Sequence, residues 1–260
     1  MSEHLEAATT IAREAGAILA QGYGTSIPVD YKGEVDLVTD YDVRSEEHIL
    51  ARLSTLFPSD SIRAEEGVQP TIIDDAEFEW YVDPLDGTTN FAHGFPFFAV
   101  SIAVAHQGQV IAGAVFDPLR DEMFAACQNS GATLNNQPIH VSTTSTLNRS
   151  LVATGFPYDV RTTQRNNLEE FSLFSIHAQG VRRAGAAALD LCYTACGRLD
   201  GFWELSLKTW DIAAGGLIVQ EAGGEISSCT RGHDWLTDSS VAASNGIIHT
   251  EMLELVSRAV

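Results

Sequence analysis

One twelve-residue stretch, residues 80–91, constrains the fold of this chain more than any other. It begins as a short apolar strand that we expect to stop at Asp83. Pro84 and Gly87 then predict a sharp bend into a helix or helical turn, because proline fixes φ and glycine frees it. The bend carries two carboxylates, Asp83 and Asp86, which would repel each other in one cavity unless a cation lay between them.

The residues after this bend predict an anion site. Gly87, Thr88 and Thr89 place backbone N–H groups at the start of a helix, which is a natural position for a phosphate. Mg²⁺ commonly lies between one or two carboxylates and a substrate phosphate. The stretch therefore favours metal-assisted phosphate chemistry. The alternative for so short a motif is an Asx-turn and helix cap with solvated aspartates.

Composition limits the partners of the chain. Its 260 residues and 45% apolar content are enough for one large domain or two closely packed ones. The formal net charge of −20 opposes binding to nucleic acid or to an anionic membrane, so we expect neither as a partner. Four cysteines without a CxxC pair argue against zinc and fit a reducing compartment. An acidic N-terminus and no membrane-length apolar run predict a cytoplasmic protein.

Periodicity predicts the elements of the N-terminal half. Residues 3–22 have helical spacing, and a second helix is expected after Asp42, ending at Phe57. Between the two helices and the hairpin, the acidic loop 67–79 is expected to hold solvated side chains, including Glu79. Strands are expected over 61–64, 97–104, 110–116, 122–126 and 131–134. The polar segment 142–150 is the expected internal boundary.

The C-terminal half alternates between the two element types and predicts an α/β layout. Strands are expected over 151–154, 180–182, 199–203, 225–227 and 241–244. Helices are expected over 164–178, 186–196, 210–222 and 249–258. Cys192 and Cys196 fall in one of these helices and are expected to be buried thiols.

Two further acidic positions fit the phosphate hypothesis. Asp211 begins a predicted helix, where it serves either as an N-terminal capping carboxylate or as a metal ligand. Glu65 and Glu66 end a predicted strand, and binding sites in α/β proteins form at strand ends. The alternative for this pair is two surface acids.

Together these motifs resemble the inositol monophosphatase family of lithium-sensitive, Mg²⁺-dependent sugar phosphatases. The resemblance rests on 36–39 with Asp42, on Glu65-Glu66, on 83–91 and on 210–215, which occur in the family's order. It implies a layered α/β fold, the αβαβα sandwich of the inositol monophosphatase and fructose-1,6-bisphosphatase type, and a homodimer. Residues 1–260 would form a single unit with sub-halves 1–148, α+β with an antiparallel sheet, and 149–260, α/β.

The resemblance also implies metal ligands. Glu65, Asp83 and the backbone carbonyl of Leu85 would hold one Mg²⁺, and Asp83, Asp86 and Asp211 would hold a second. Glu65 would also contact a weaker third ion, so two or three ions are expected in each subunit.

Catalytic roles follow from the same resemblance. The phosphate would lie on the N–H groups of Gly87 and Thr88. The nucleophile would be a water activated by the cation and positioned by Glu65 and the Thr88 hydroxyl, with Asp42 orienting Thr88.

The pocket for the alcohol is assigned in the same way. Glu204 matches the family glutamate that hydrogen-bonds substrate hydroxyls, and Asp86 would share that duty. Gly185, Ala186 and Ala187 match a segment whose backbone lines the sugar pocket. Ala186 replaces the usual hydroxyl residue, so either a substrate contact or a helix cap is missing.

Four other features complete the sequence assignments. Lys32 matches a flexible-loop lysine, although the loop to Asp36 is one residue shorter than in typical animal members. Arg182 is either a dimer or structural residue or a surface arginine, and His93 is expected to be packed or solvated rather than a ligand. Three aromatic residues are expected to fill the core: Phe95, Phe97 and Phe98.

These features predict a Mg²⁺-dependent phosphomonoesterase of a small polyol phosphate, with inositol 1-phosphate first. The same metal site would also suit fructose 1,6-bisphosphate, histidinol phosphate or 3′-phosphoadenosine 5′-phosphate. A regulatory protein-binding role is the alternative from another functional class.

Overall fold

The computed structural model describes residues 2–25, 29–31, 37–67, 71–230 and 232–258. The α-helices within these ranges are α1 (Glu3–Gly22), α2 (Asp40–Leu56), α3 (Thr88–Ala92), α4 (Leu168–His177), α5 (Ala187–Ala195), α6 (Thr209–Glu221) and α7 (His249–Arg258). The strands are β1 (Val29–Tyr31), β2 (Leu37–Thr39), β3 (Ser61–Ala64), β4 (Phe78–Asp86), β5 (Ala99–His106), β6 (Gln109–Asp117), β7 (Glu122–Cys127), β8 (Ala132–Leu134), β9 (Gln137–Pro138), β10 (Leu151–Thr154), β11 (Gly180–Arg182), β12 (Gly201–Glu204), β13 (Glu225–Ser228) and β14 (Val241–Ser244).

Three sheets carry these strands. Strands β3 to β9 form a seven-stranded sheet in sequence order, which is antiparallel except for the parallel pair β3 and β4. The C-terminal strands form a five-stranded sheet in the order β11-β10-β12-β14-β13, in which β10 runs parallel to both of its neighbours. Strands β1 and β2 form a separate antiparallel pair.

The helices separate the two large sheets and cover them. Helices α1 and α2 pack on the outer face of the seven-stranded sheet, and α5 and α6 lie between the two sheets. Helices α4 and α7 cover the other face of the five-stranded sheet. The predicted αβαβα sandwich is therefore confirmed, and the largest apolar cluster surrounds its central helix layer.

Local signals in the sequence explain the first layer. The Ser2 side chain caps α1 by accepting a hydrogen bond from the Leu5 backbone N–H, at 3.3 Å. Ala8, Ile11 and Ala15 recur at helical spacing on its buried face. Helix α1 has the bounds that periodicity predicts. The division into sub-halves at 148 and 149 stays a prediction.

Several elements differ in their bounds from the sequence prediction. Strand β4 does not stop at Asp83 but continues to Asp86, with a shift of register between the two residues. Helix α2 begins at Asp40, ahead of the predicted start, because the Thr39 side chain caps it. Helix α4 begins at Leu168 rather than residue 164.

Three side-chain predictions were wrong. Phe95 is 52% exposed, whereas Phe97 and Phe98 are buried as predicted. Glu79 is not simply solvated, since its carboxylate accepts hydrogen bonds from the side chains of Arg63 and Tyr81. The third concerns Cys196, which is only half-buried, although Cys192 is fully buried as predicted. No helix in the described part of the chain is long and apolar enough to cross a membrane.

Candidate active site

The first site residues come from the parallel pair β3 and β4. Parallel neighbours end at the same edge of a sheet, and the Glu65 N–H donates to the Val82 carbonyl at 3.2 Å. This contact places Glu65 beside Asp83. The register shift between Asp83 and Asp86, with Pro84 inside it, lets both aspartates reach one side of the strand end.

Asp83 lies at the centre of the acidic group. It is 2% exposed, and one of its oxygens accepts a hydrogen bond from the Leu85 N–H at 3.0 Å. Burial raises the pKa of Asp83 well above its usual value, and the negative charges of Glu65, Asp86 and Asp211 raise it further. A side-chain hydrogen bond with Glu65 acts in the same direction. The site therefore concentrates negative charge where water is excluded.

The Asp86 side chain, from the end of β4, reaches the N-terminus of α5, and Asp211 lies in the first turn of α6. The Ala187 and Ala188 N–H groups donate to Asp86 at 3.2 and 2.7 Å, and the Lys208 N–H donates to Asp211 at 2.7 Å. Burial raises the pKa of Asp86 to about 7 and that of Asp211 to about 6, although these N–H groups act against the shift. Both carboxylates are thus fixed by backbone donors.

A hydrogen-bonded pair joins α3 to α2. The Thr88 hydroxyl lies 2.9 Å from Asp42 Oδ1 and 3.0 Å from the Leu85 carbonyl oxygen, and both oxygens are acceptors. The other Asp42 oxygen accepts from the Thr39 N–H and hydroxyl at 2.8 and 2.5 Å. Burial raises the pKa of Asp42, and these hydrogen bonds offset part of the rise. Because an ionised Asp42 and the Leu85 carbonyl can only accept, the Thr88 hydrogen is directed to one of these two oxygens and the Thr88 oxygen can itself accept from another donor.

Two glycines allow the loops of the site to approach each other. Gly87 has φ +94°, and a Cβ there would lie 3.3 Å from the Ala186 Cβ. Gly185 has φ +89°, and the Asn90 amide donates to the neighbouring Ala184 carbonyl at 2.8 Å. Ala186 precedes α5 without a side-chain cap, so the missing hydroxyl is at least a missing helix cap.

Glu204 comes from the other sheet, as the last residue of β12. Burial raises its pKa to about 8, Asp211 and Asp86 add to the rise, and Arg183 lowers it. Asp190, on α5, is also buried and interacts with the same Glu204, Asp86 and Arg183 charges. Two acids and one arginine therefore lie near each other at the Glu204 end of the site.

One cavity of about 320 Å³ collects these groups. The sequence-predicted residues that line it are Glu65, Asp83, Leu85, Asp86, Gly87, Thr88, Gly185, Ala186, Ala187, Glu204 and Asp211. Asp42 does not line the cavity and reaches it through Thr88. Arg182 and His93 are exposed and lie outside the lining, and Lys32 is outside the described residues.

Sequence reasoning missed several groups at this cavity. Gly155 and Arg183 line it, and Asp190 lies buried behind it. An acidic residue on the apolar face of a predicted helix could have identified Asp190. Nothing local to the sequence distinguishes Gly155.

The donor set suits a hard cation. Among the described residues, no three His, Cys, Asp or Glu side chains form a preformed metal cluster. However, five acidic side chains line one cavity, and four of them, with the Leu85 backbone carbonyl, form a set of the oxygen donors that Mg²⁺ prefers. Their mutual repulsion, visible in the raised pKa of Asp83, would be relieved by positive charge. The four acids are Glu65, Asp83, Asp86 and Asp211.

Comparisons with known proteins agree with this geometry. The model of the inositol monophosphatase family matches residues 1–260. An inositol-1-monophosphatase of Synechocystis is 44% identical over 254 residues, covering 97% of this chain and 88% of that protein. A Nus factor SuhB of Pseudomonas aeruginosa is 42% identical over 253 residues, covering 94% of this chain and 92% of that protein.

A solved structure shares the fold as well as the sequence. The inositol monophosphatase from Anabaena superposes with a TM-score of 0.88 at 40% identity, covering 98% of this chain and 95% of that one. The chain therefore belongs to the inositol monophosphatase family, a family of phosphatases.

Proposed function

We propose that this chain hydrolyses the phosphate monoester of a small polyol, with inositol 1-phosphate as the first substrate, and that it uses Mg²⁺. The observation that carries the proposal is that Glu65, Asp83, Asp86 and Asp211 line one cavity together with Thr88, whose hydroxyl donates to Asp42. Four acids around one anionic substrate are consistent only if cations reverse the local charge.

The carboxylates are assigned to two or three cations. Glu65, Asp83 and the Leu85 carbonyl would hold one ion, Asp83, Asp86 and Asp211 a second, and Glu65 a weaker third. When bound, such ions would acidify a water and stabilise negative charge on the phosphate and on the departing alcohol.

The chain's own groups would orient the reactants. With its hydrogen directed to Asp42, the Thr88 oxygen can accept a hydrogen bond from the attacking water. Glu65 lines the same cavity and would accept the second hydrogen of that water. The N–H groups of Gly87 and Thr88 would receive the phosphate oxygens. This scheme requires no covalent phosphoenzyme.

Charge at the far end of the cavity favours a neutral polyol. Glu204 would accept hydrogen bonds from substrate hydroxyls, and Asp86 would share that duty through an oxygen. A second phosphate placed there would approach Glu204 and Asp190, whose pKa values stay raised despite the positive charge of Arg183 beside them. This argument ranks inositol 1-phosphate above fructose 1,6-bisphosphate and 3′-phosphoadenosine 5′-phosphate.

A substrate panel tests the proposal. Phosphate release would be measured with and without Mg²⁺ on inositol 1-phosphate, fructose 1,6-bisphosphate, histidinol phosphate and 3′-phosphoadenosine 5′-phosphate. We expect Mg²⁺-dependent release, fastest from inositol 1-phosphate, and inhibition by millimolar Li⁺. Release that is unchanged by chelation of divalent cations would contradict the metal assignment, and a faster bisphosphate would contradict the ranking.

The proposal also covers the cellular location and the oligomeric state. We propose a cytoplasmic location and a homodimer, for which the exposed Arg182 at the sheet edge is a candidate contact. Analytical ultracentrifugation of wild type and Arg182→Glu tests the homodimer. If the dimer uses this sheet edge, reversing the charge of Arg182 should raise the dimer dissociation constant.

A second candidate function is regulatory protein binding. The observation that favours it is the relative named Nus factor SuhB, at 42% identity. Complementation of a strain that lacks such a factor separates the two functions. Rescue by both wild type and Asp83→Asn would support a binding function that does not need catalysis. Failure of both to rescue would contradict the regulatory function and leave the phosphatase function as the remaining candidate.

A further inference from the structure

The alcohol end of the cavity depends on two neighbouring strands that end together. Strands β10 and β12 run parallel, and Thr154 pairs with Trp203. Gly155 follows Thr154 and Glu204 follows Trp203 in the sequence, and both line the cavity. The position of the Glu204 carboxylate is therefore tied to the backbone that leaves β10.

Gly155 leaves the space that this carboxylate occupies. A Cβ built on Gly155 would lie 2.1 Å from Glu204 Oε1 and 2.3 Å from both Cδ and Oε2. These distances are far below van der Waals contact, so any side chain at 155 requires the carboxylate to move. The carboxylate is the flexible end of a side chain, whereas the backbone of β10 is fixed in the sheet.

A buried asparagine fixes the other side of Gly155. Asn167 is fully buried and has φ +66°, a left-handed conformation that asparagine adopts more readily than most residues. Its amide nitrogen donates to the Gly155 carbonyl at 2.6 Å and to the Thr154 hydroxyl at 2.7 Å. Its oxygen accepts from the Trp203 indole at 2.7 Å. One side chain thus joins the ends of β10 and β12, directly beside Glu204.

We propose that Gly155, fixed by Asn167, is the positioning residue that places the Glu204 carboxylate for recognition of the polyol and so determines which alcohol is preferred. Like charges surround Glu204, since Asp86 and Asp211 both act on it. Repulsion would turn the carboxylate away from the site unless it had a defined place to lie. The space above Gly155 is that place. This inference rests on the proposed phosphatase function and goes beyond it by naming the residue that sets specificity.

The test compares two esters in four proteins: wild type, Gly155→Ala, Glu204→Ala and the double variant. The readout is the ratio of kcat/KM for inositol 1-phosphate to that for 4-nitrophenyl phosphate, a featureless ester. We expect Gly155→Ala to lower this ratio about tenfold or more, the effect of losing one hydrogen bond to a charged group. The loss of kcat/KM on 4-nitrophenyl phosphate should be clearly smaller than the loss on inositol 1-phosphate.

The double variant tests whether Gly155→Ala acts through the Glu204 carboxylate. In the Glu204→Ala background the added Cβ at 155 meets no carboxylate, so Gly155→Ala should change the ratio no further. Gly180→Ala is the matched control, because Gly180 lies in the adjacent strand β11 and a Cβ there would meet only ordinary contacts at 3.4 Å. It should leave the ratio unchanged.

Each other outcome overturns the inference. Gly155 would have no role in specificity if Gly155→Ala kept the wild-type ratio or lost the same activity on both esters. An additive loss in the double variant would lead to the same conclusion. If Gly155→Ala fails to fold, rescue of folding by Glu204→Ala still shows the contact, and no rescue contradicts it. If wild type releases phosphate from neither ester, the proposed function fails, and the melting temperatures of Gly155→Ala and the double variant still report the contact.

Discussion

The two ends of the cavity are built in different ways. At the phosphate end, residues 83–88 of a single strand and turn supply most of the groups, and backbone N–H groups fix Asp86 and Asp211. At the alcohol end, Glu204 depends on contacts from Gly155 and Asn167, which lie far from it in the sequence.

This difference separates reaction from selection. The phosphate end carries groups that act on any phosphate monoester, so changes there should lower all rates together. The alcohol end carries groups that meet only the departing alcohol, so changes there should alter the ratio between substrates. Variants at the two ends therefore test the division directly.

The largest effect is expected from Asp83→Asn. This change removes a carboxylate shared by both proposed cation sites and should lower kcat/KM about 10²- to 10³-fold or more on every ester. The melting temperature should be unchanged or higher, because a neutral side chain relieves the repulsion from Glu65 and Asp86. The exposed Asp74→Asn is the charge-matched control and should behave as wild type. A fall in activity on one ester only would contradict the shared role.

Thr88→Val should have the next largest effect. Without the hydroxyl that binds Asp42 and positions the attacking water, kcat should fall about 10²-fold on both esters, while KM changes little. Thr88→Ser keeps the hydroxyl and should retain most of the activity. Steady-state kinetics measures kcat of both variants. Equal kcat values for Thr88→Val and Thr88→Ser would contradict this role of the hydroxyl.

Glu204→Gln should act on one substrate. It keeps the size of the side chain but replaces one acceptor oxygen by a donor, so kcat/KM for inositol 1-phosphate should fall about tenfold. The same constant for 4-nitrophenyl phosphate should change less than threefold. Equal losses on the two esters would remove Glu204 from the alcohol pocket.

The smallest effect concerns stability of the half that carries Glu204. His249 is 2% exposed and is hydrogen-bonded to the Ser227 and Ser244 hydroxyls at 2.8 and 3.0 Å. Burial lowers its pKa, and nearby Glu225 offsets part of this. The unfolded state then binds a proton first as the pH falls, so the stability that neutral His249 provides is present above about pH 6.5 and is lost below it.

Urea unfolding at pH 7.5 and 5.5 measures this loss. The free energy of unfolding of wild type should fall more than that of His249→Gln over that interval. His140→Gln, at an exposed histidine, should show the wild-type loss. An identical pH dependence in His249→Gln would exclude a role for this histidine.

The phosphate end could be predicted from the sequence because its groups are contiguous or lie at element ends. Even so, the continuation of β4 to Asp86 was missed, since Pro84 argues against a strand unless a bulge accommodates it. The late start of α4 was missed because Asn167 takes a left-handed conformation to bond two strand ends. Tertiary hydrogen bonds of this kind leave no periodic signal.

The alcohol end was predicted only where the family resemblance reached it. Glu204 and Ala186 were named, but Gly155, Arg183 and Asp190 were not, because their importance depends on which strands are neighbours. The donation of the Ala187 and Ala188 N–H groups to Asp86 was also invisible, since it joins residues about a hundred positions apart.

One comparison tests the central claim most directly: the ratio of kcat/KM for inositol 1-phosphate to 4-nitrophenyl phosphate in Thr88→Val and in Glu204→Gln. If the two ends of the cavity act separately, Thr88→Val should lower kcat/KM for both esters and leave their ratio within about threefold of wild type. Glu204→Gln should lower the ratio about tenfold. A ratio that falls in Thr88→Val, or that stays at the wild-type value in Glu204→Gln, would contradict the division of the site.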